Sequence, residues 1–316
     1  MKNNTYVNGN VIYMNSRELV TMEQFAEKVV EKVKETLPEN HTVRVNKVQK
    51  NNGLELTGLC ILESTSNTSP TIYLERYYED YTEGISLELI VGDIVRTYDY
   101  YKVPSVDISF LTDYELAKGH ISCKLVNAEK NRKLLEDVPY VPIYDLAVVF
   151  KVDVEAFTTE NNQASVMVKN HVSKIWNKTP EELLEVALEN MKKTYPAQIL
   201  PMGAVLEEMG ADVDGLFVLQ EEDCSLYVCS NTKRCLGAVS VLYPGLLEEF
   251  ANKIDSSFYI LPSSIHECLF VPETFGDVDV FKEMVRDVNR TMVDEEEVLS
   301  DNVYFYDKEL GALLVR

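Results

Sequence analysis

The densest run of residue types that can carry out catalysis lies late in the chain, at Ser263, Ser264, His266 and Glu267. A serine hydroxyl becomes a nucleophile when a nearby imidazole takes its proton and a carboxylate orients the imidazole ring. Neighbouring residues of a strand point to opposite faces of the sheet, so Glu267 cannot orient His266 directly. Asp301 is the best candidate for a carboxylate from elsewhere. The run therefore predicts a hydrolase-like site of Ser263 or Ser264 with His266 and Asp301.

The same run has a structural interpretation, which the residues favour. Pro262 followed by two serines is typical of a turn whose hydroxyls bind nearby backbone groups, with His266 hydrogen-bonded at a sheet edge. No Gly-x-Ser-x-Gly motif surrounds either serine. Phe270 occupies the position where a His-Glu-x-x-His zinc site needs its second histidine. Both the catalytic and the structural interpretation of the segment stay open.

The cysteines give weak support for a metal site. Cys224, Cys229 and Cys235 are spaced more widely than the pairs of structural zinc sites, and a fourth ligand such as His266 would have to come from afar. Cys229 lies in a predicted strand, where a thiol acts as a small apolar side chain. We therefore expect no zinc site.

An acidic stretch after residue 209 matches a calcium-binding loop only in part, because Gly210 occupies the first ligand position. The residues that do match are Asp212, Asp214, Gly215 and Glu221. No glycine-rich phosphate loop is present, since Leu59 and Cys60 follow the only Walker-like glycine spacing. The sequence accordingly predicts neither a metal nor a cofactor.

A tyrosine-rich acidic segment is the main candidate for a binding surface. Tyrosine side chains bury a large area at little cost in conformational entropy and are enriched at interfaces. At helical spacing, however, tyrosines are usual at the edge of a core with their hydroxyls in water. The weak binding candidates are Tyr73, Tyr77, Tyr78, Tyr81, Tyr243 and Glu267.

Local signals indicate the elements that must position these residues. Thr21 with Gln24, and Thr179 with Glu182, predict capping boxes at the starts of two helices. The segment 51–53, Asn-Asn-Gly between alternating apolar residues, predicts a β-hairpin turn. Short turns between neighbouring strands favour antiparallel pairing, so we expect an α+β fold. Further predicted elements are helices at 86–101 and 113–136, a hairpin of 146–154 with 164–172, a strand at 238–243, and a hairpin of 258–261 with 267–271.

The same patterns predict how the chain is organised into domains. Residues 1–17 are polar and are expected to form a disordered tail. Two closely apposed α+β subdomains follow, at 18–177 and 178–316. The boundary is placed after Trp176 and Asn177, just before the second capping box.

Charge excludes two large classes of partner. The 316 residues contain 30 basic and 52 acidic side chains, a formal charge of −22. Such a chain would repel the phosphates of nucleic acids and anionic membrane surfaces. The acidic excess is larger in residues 159–316, with 13 basic and 28 acidic residues, than in residues 1–158, with 17 and 24. An apolar content of 46% is too high for a disordered acidic chain, so the protein is expected to fold.

Several short segments resemble one uncharacterised family. Tyr243-Pro244-Gly245 and the run Leu-Pro-Ser-Ser-Ile-His-Glu at 261–267 carry the resemblance, together with Asn-Asn-Gly-Leu at 51–54 and Leu-Ser-Asp at 299–301. They are similar to the family called domain of unknown function 5688, known from gut Clostridia and other Firmicutes. The resemblance covers roughly residues 20–310 and implies a bacterial origin. It implies no activity, cofactor or catalytic residue.

Two hypotheses for the function follow from the residues. The first is a non-catalytic cytoplasmic binding or regulatory protein that acts through a protein partner or a small ligand; the six cysteines and the polar first residues suit the cytoplasm. The second is the hydrolase-like enzyme at residues 263–267. An acidic inhibitor that mimics DNA is a minor alternative, because acidity alone usually serves solubility.

Overall fold

The computed structural model describes residues 4–7, 10–13, 20–102, 105, 109–154, 165–210 and 226–316. The chain divides into two compact units, one of residues 1–49 with 55–106 and one of residues 50–54 with 107–316. Within the described ranges, every paired strand is antiparallel and helices accompany the sheets, which confirms the predicted α+β class. None of the described helices combines the length and the apolar composition needed to cross a bilayer.

In its described residues, the first unit contains a small sheet, in the order β3-β4-β5, and three helices. Its elements are β1 (Asn4–Val7), β2 (Asn10–Tyr13), α1 (Met22–Thr36), β3 (His41–Gln49), β4 (Glu55–Glu63), β5 (Thr71–Tyr73), α2 (Glu75–Glu83) and α3 (Leu87–Tyr101). The backbones of β1 and β2 pair with each other, whereas the sequence predicts a disordered tail there. The β-forming residues of this segment, such as Val11 and Ile12, favour the extended conformation.

The core of the first unit follows from helical and strand periodicity. Phe25, Val29 and Val33 recur every four residues on α1 and are fully buried. They pack against Leu59 of β4 and Ile94 of α3. The Thr21 side chain accepts from the Gln24 backbone N–H, and the Gln24 side chain accepts from the Thr21 N–H, so the predicted capping box is confirmed.

The second unit contains a six-stranded sheet in the order β10-β11-β13-β12-β14-β15 and a smaller sheet in which β8 pairs with β6, β7 and β9. Its helices are α4 (Tyr114–Ala117), α5 (Arg132–Leu135), α6 (Asn170–Trp176), α7 (Pro180–Thr194), α8 (Met202–Glu208), α9 (Leu246–Ile254) and α10 (Val278–Thr291). Its strands are β6 (Ile121–Asn127), β7 (Tyr140–Ile143), β8 (Leu146–Asp153), β9 (Ser165–Met167), β10 (Ala197–Pro201), β11 (Tyr227–Asn231), β12 (Phe258–Pro262), β13 (Cys268–Pro272), β14 (Tyr304–Asp307) and β15 (Ala312–Val315).

One apolar core joins both sheets of the second unit with α7. Phe150 of β8, Leu183 of α7 and Phe258 of β12 are fully buried in it. Trp176 belongs to the same core as Leu183. The predicted boundary at residue 177 therefore falls inside the second unit, because the side chains before and after it share one apolar cluster.

Two predicted elements differ in the structure. The predicted helix at 113–136 is replaced by the short helices α4 and α5 and a 3-10 turn at Lys118–His120, with β6 before α5. Alternate residues Ile121, Cys123 and Leu125 of β6 face the core. The predicted strand at 238–243 is instead a 3-10 helix, Gly237–Leu242, in which Ala238, Val239 and Val241 are buried. In short apolar runs, periodicity alone does not distinguish a strand from a helix. The calcium-like stretch at 211–221 and Cys224 lie outside the described residues.

The N-terminal cap of α7 gives a first testable prediction. The Thr179 hydroxyl accepts from the Glu182 N–H at 3.3 Å, and Glu182 accepts from the Thr179 N–H at 2.9 Å. Because Thr179→Ala removes this cap, we expect it to lower the free energy of unfolding by about 1 kcal/mol. Urea denaturation followed by the fluorescence of Trp176, the sole tryptophan, measures the loss.

Thr194 provides the matched control at the other end of the same helix. It is exposed and caps nothing at the N-terminus, so Thr194→Ala should change the unfolding free energy by less than about 0.5 kcal/mol. Equal losses in the two variants would show that the cap does not stabilise α7.

Candidate functional site

The Ser-Ser-Ile-His-Glu segment forms the connection between β12 and β13. The Ser264 hydroxyl accepts a hydrogen bond from the His266 backbone N–H at 3.0 Å. The Ser264 N–H donates to the Glu267 carbonyl oxygen at 3.2 Å. The serine hydroxyl thus stabilises a local turn, as in the structural interpretation of the sequence.

The His266 ring contacts groups that the sequence did not single out. Its Nδ1 accepts a hydrogen bond from the Leu236 N–H at 3.0 Å, and its Nε2 lies 3.3 Å from Oε1 of Glu297. Among the described residues, no serine hydroxyl hydrogen-bonds to the ring. Asp301 accepts from the Asn289 side chain at 2.8 Å. The carboxylate beside the imidazole is therefore that of Glu297, and the predicted combination with Asp301 is not assembled.

Cys235 lies on the loop that places Leu236 against the imidazole. The Asn231 side chain, almost fully buried, donates to the Cys235 carbonyl oxygen at 2.8 Å and accepts from the Lys233 N–H at 2.9 Å. Arg234 and Leu236 have φ values of 50° and 51°, a left-handed conformation that is uncommon for residues other than glycine. The asparagine thus holds a strained loop in a single conformation around the cysteine.

The Cys235 and His266 side chains lie near enough to influence each other's pKa. Their interaction lowers the pKa of Cys235 and raises the pKa of His266, and the nearby Glu297 carboxylate raises the histidine pKa further. Burial raises the pKa of Cys123 and of Cys268 to about 12. Cys235 therefore differs from these buried thiols in both exposure and electrostatics.

We call residues 232–236, which contain Cys235, the cysteine loop, and residues 263–267, which contain His266, the histidine turn. The backbones of these two segments pack closely at Gly237. A Cβ at Gly237 would lie 2.7 Å from the Asn231 nitrogen and 2.7 Å from the His266 carbonyl oxygen. The Ser230 hydroxyl donates to that same carbonyl oxygen at 2.8 Å. Position 237 therefore needs glycine for the close approach of β11 to the turn.

A pocket of about 240 Å³ that is lined by both polar and apolar groups lies beside this loop in the second unit. The residues that line it come from the start of β6, the end of β8, the end of α7 and the cysteine loop. They are Gly119, His120, Ile121, Ser122, Asp153, Asn190, Met191, Thr194, Tyr195 and Lys233.

Buried polar groups form one wall of this pocket. Asp153 accepts from the Lys151 ammonium at 2.8 Å and from the Tyr195 hydroxyl at 3.0 Å. The side chains of the ion pair are only 7% and 16% exposed. Burial and the Asp153 carboxylate raise the pKa of Tyr195, so this hydroxyl stays a donor at neutral pH. Ser122 is 2% exposed, and its hydroxyl has no hydrogen-bond partner among the described residues.

Strand geometry explains why these groups meet. Val152 faces the core, so its neighbours Lys151 and Asp153 both point to the opposite face of β8. Ser122 pairs directly with Lys151 in the antiparallel register of β6 and β8. Asn190 of α7 donates to the carbonyl oxygens of Lys118 and Ile121, which ties the helix to the start of β6. The pocket is thus positioned by regular elements.

Four of the predicted binding tyrosines have structural contacts. Tyr78 donates to the Val20 carbonyl oxygen, and the Tyr78 and Tyr81 rings lie 5.6 and 5.1 Å from that of Phe25. Tyr77 donates to Asp93. Tyr243 is buried in the second unit and donates to the Tyr195 carbonyl oxygen. Their positions are those of core-edge and core residues.

The remaining predicted binding residues, Tyr73 and Glu267, are half-buried, in β5 and in the histidine turn respectively. Across the described ranges, no three His, Cys, Asp or Glu side chains are grouped as metal ligands. Cys229 is buried in β11, and the His266 side chain lowers the pKa of Cys235.

No motif marks the pocket residues Ser122, Asp153 and Tyr195, which sequence reasoning missed. One usable signal was present, since Lys151 and Asp153 interrupt the otherwise apolar segment 146–154 at alternate positions. Charged side chains in an otherwise apolar strand are costly to bury unless an opposite charge compensates them. Lys151 and Asp153 compensate each other by forming an ion pair. The proximity of Cys235 to His266 had no comparable local signal.

Comparison with known proteins yields one family. The model of a family described as "Family of unknown function (DUF5688)" matches residues 22–308. No curated protein and no solved structure matches the chain.

Proposed function

The chain belongs to the family of unknown function DUF5688, and we propose that it is a non-catalytic binding protein whose second unit holds a small polar ligand. The observation that carries the proposal is the pocket of about 240 Å³ with the buried Lys151–Asp153 pair and Tyr195 on its wall. Concave sites with a few convergent polar groups are the usual form of a ligand site.

The unpartnered Ser122 hydroxyl supports this proposal most directly. A buried hydroxyl without a hydrogen bond costs free energy, and a ligand that bonds to it would recover that cost. Lys233 adds an exposed positive charge on the cysteine loop, while the Asp153 charge is balanced by Lys151. The pocket is therefore suited to a polar ligand that carries hydrogen-bonding groups and a negative charge.

The size of the pocket limits the ligand. Sites for drug-sized molecules have volumes of roughly 300–1,000 Å³, so the ligand here is smaller. Amino acids, short carboxylic acids and monosaccharides are the appropriate probes.

The described cysteines are free thiols, which supports our further proposal that the protein acts in the reducing environment of the cytoplasm.

Thermal unfolding with a panel of these three probe classes tests the function. A compound present at about 100 times its Kd stabilises the folded state by about 2.7 kcal/mol, which raises the Tm by roughly 5–10 °C for a unit of this size. We expect one class to raise the Tm of the wild-type protein, and we expect Thr194→Trp to abolish this shift because the indole fills the pocket from its rim.

Lys193→Trp is the matched control, since Lys193 is an exposed neighbour on α7 outside the pocket lining. It should keep the ligand-induced shift. A shift that persists in Thr194→Trp would place the ligand elsewhere, and no shift with any probe would contradict small-ligand binding of these classes.

A further inference from the structure

We propose that the first unit binds an extended, basic segment of a protein partner, which adds as a strand to the outer edge of β3. The site consists of that strand edge and the groove between β3 and α1. It does not rest on ligand binding in the pocket of the second unit. Strand addition to a sheet edge is a recurrent mode of peptide recognition, in which main-chain hydrogen bonds provide affinity and alternate side chains provide specificity.

β3 is a long strand whose outer edge has no strand partner among the described residues. Its nine residues pair with β4 along their whole length, and β3 ends the sheet order β3-β4-β5. Proteins usually protect such edges with short strands, prolines, bulges or lysines. β3 contains neither a proline nor a bulge, and its one lysine, Lys47, donates to the Thr57 hydroxyl on β4 at 3.2 Å. This edge is therefore suited to pairing with another strand.

The register of β3 with β4 shows which backbone groups face the outer edge. The Thr57 N–H donates to the Glu75 carboxylate at 2.6 Å and not to β3. Its partner in register is Lys47, so the two form a non-hydrogen-bonded pair of the ladder. Because the two kinds of pair alternate, Val45 belongs to the same kind as Lys47. The N–H and C=O groups of Val45 and Lys47 therefore point to the outer edge, where no described residue provides them with a hydrogen-bond partner.

A groove of about 420 Å³ lies between β3 and α1. Its apolar wall on α1 consists of residues at every fourth position, and its other wall comes from the strands. These lining residues are Met22, Ala26, Val30, Val45, Lys47 and Thr57. Because α1 packs over β3 whereas α3 packs over β5, the groove opens beside the outer edge of the sheet. Every second side chain of an added strand would project into it.

The groove carries an excess of negative charge. It is lined by the carboxylates of Glu23, Glu27 and Glu31 and by the ammonium groups of Lys34 and Lys47. Glu27 and Glu31 are exposed, lie four residues apart on one face of α1, and form no ion pair within the described ranges. The net charge of −22 also attracts basic segments over longer distances. The complementary strand therefore presents apolar and basic side chains to the groove.

A short synthetic peptide provides the probe. The α1 residues that line the groove extend over about 18 Å, which equals about five or six residues of extended chain. The peptide Thr-Lys-Thr-Val-Thr-Lys-Thr presents both lysines and the valine on one side of a strand. Fluorescence polarisation of a labelled, end-blocked form measures its Kd for the whole chain at low salt. We expect saturable binding, and we expect the peptide with glutamate in place of lysine to bind at least roughly tenfold more weakly.

Backbone methylation distinguishes strand addition from contact with the groove alone. In an added strand, alternate backbone N–H groups face β3 and the others face away from it. One peptide is therefore N-methylated at its lysines and valine, and a second at its threonines. We expect one of the two to lose binding and the other to retain it. Which peptide loses binding reports whether the added strand is antiparallel or parallel to β3.

Charge reversal on α1 tests the location of the site. Glu27→Lys combined with Glu31→Lys should weaken binding of the basic peptide about tenfold. The matched control is Glu79→Lys combined with Glu83→Lys, because these glutamates are also exposed and four residues apart, on α2 of the same unit. The control changes the net charge equally and should leave the Kd within about twofold of the wild-type value.

Two substitutions of Lys47 test the role of the strand backbone. Lys47→Pro removes the outward N–H, and an edge strand tolerates proline where the N–H has no partner in the sheet. Lys47→Ala removes the same side chain but keeps the N–H. We expect the proline variant to bind the basic peptide about tenfold more weakly than the alanine variant, with circular dichroism showing that both are folded. If the proline variant does not fold, the methylated peptides still test the backbone contribution.

Three results would overturn the proposal. One is the absence of saturable binding of the basic peptide with a Kd below about 1 mM. The others are equal losses of affinity in the α1 and α2 charge variants, and equal affinities of the two methylated peptides. Thr194→Trp, which fills the pocket of the second unit, should leave peptide binding unchanged, so failure of small-ligand binding and failure of strand addition are distinguishable.

Discussion

Replacing Asn52 with alanine is expected to lower the free energy of unfolding by about 3–5 kcal/mol, a large fraction of the stability of a domain. Asn52 is buried in the second unit, where its side chain donates to the carbonyl oxygens of Glu295 and Val298, both at 2.7 Å. It also accepts from the Asn131 side chain at 2.9 Å. Each buried group left without a partner costs about 1–3 kcal/mol.

Backbone conformation adds to the effect. Asn52 has a φ of 59°, which asparagine tolerates better than alanine. Asn52→Gly adopts this conformation without strain, so the difference between the alanine and glycine variants isolates the backbone contribution. Urea denaturation followed by the fluorescence of Trp176, which is buried in the core of the same unit, measures both.

Asn302→Ala is the control, because among the described residues only the backbone N–H of Asn302 makes a hydrogen bond, to the Ser300 hydroxyl, and its side chain makes none. It should change the unfolding free energy by less than about 0.5 kcal/mol. If Asn52→Ala were no more destabilising than this, the asparagine would not hold the segment 295–298 in place. That segment also contacts the turn at 263–267, since the Glu297 carbonyl oxygen accepts from the Ile265 N–H at 2.9 Å.

Removal of the Asp153 carboxylate is expected to cost about 3–5 kcal/mol, because Asp153→Ala leaves the buried Lys151 ammonium unpaired. Its only partner among the described residues is Asp153, at 2.8 Å. The Tyr195 hydroxyl loses its acceptor as well. The same urea experiment measures the change.

Two comparisons make this prediction specific to burial. Asp137→Ala removes a carboxylate from an exposed ion pair of the same 2.8 Å length with Lys169, and should cost less than about 1 kcal/mol. Lys151→Met combined with Asp153→Ala removes both buried charges and should recover much of the loss. Equal losses of unfolding free energy in Asp153→Ala and Asp137→Ala would show that burial does not increase the contribution of the Lys151–Asp153 ion pair to stability.

The local features of the fold were predictable from sequence. Both capping boxes, at Thr21 and Thr179, have the predicted hydrogen bonds. The hairpin of β3 and β4 turns at 51–53, and β12 pairs with β13, as expected. These signals act over a few residues, since a cap or a turn needs only its own backbone and neighbouring side chains.

The predictions that failed depended on distant contacts. Leu116, Ile121 and Leu125 have spacings compatible with a helix, yet β6 is extended because β8 pairs with it along its whole length. Pairing and burial outweigh a weak local preference. The buried 3-10 helix Gly237–Leu242 is a similar case, since Gly237 must approach the Asn231 and His266 backbones closely.

The sequence by itself determined the α+β class, the starts of two main helices, the antiparallel hairpins and the acidic net charge. It also marked His266 as chemically interesting. Only the tertiary structure decided what His266 does, by placing Cys235 and Glu297 beside it and by burying Lys151 with Asp153. Local signals such as caps and turns act over only a few residues of sequence. Electrostatic and hydrogen-bond energies depend instead on the distance between two groups in space, and that distance is fixed only when the chain is folded.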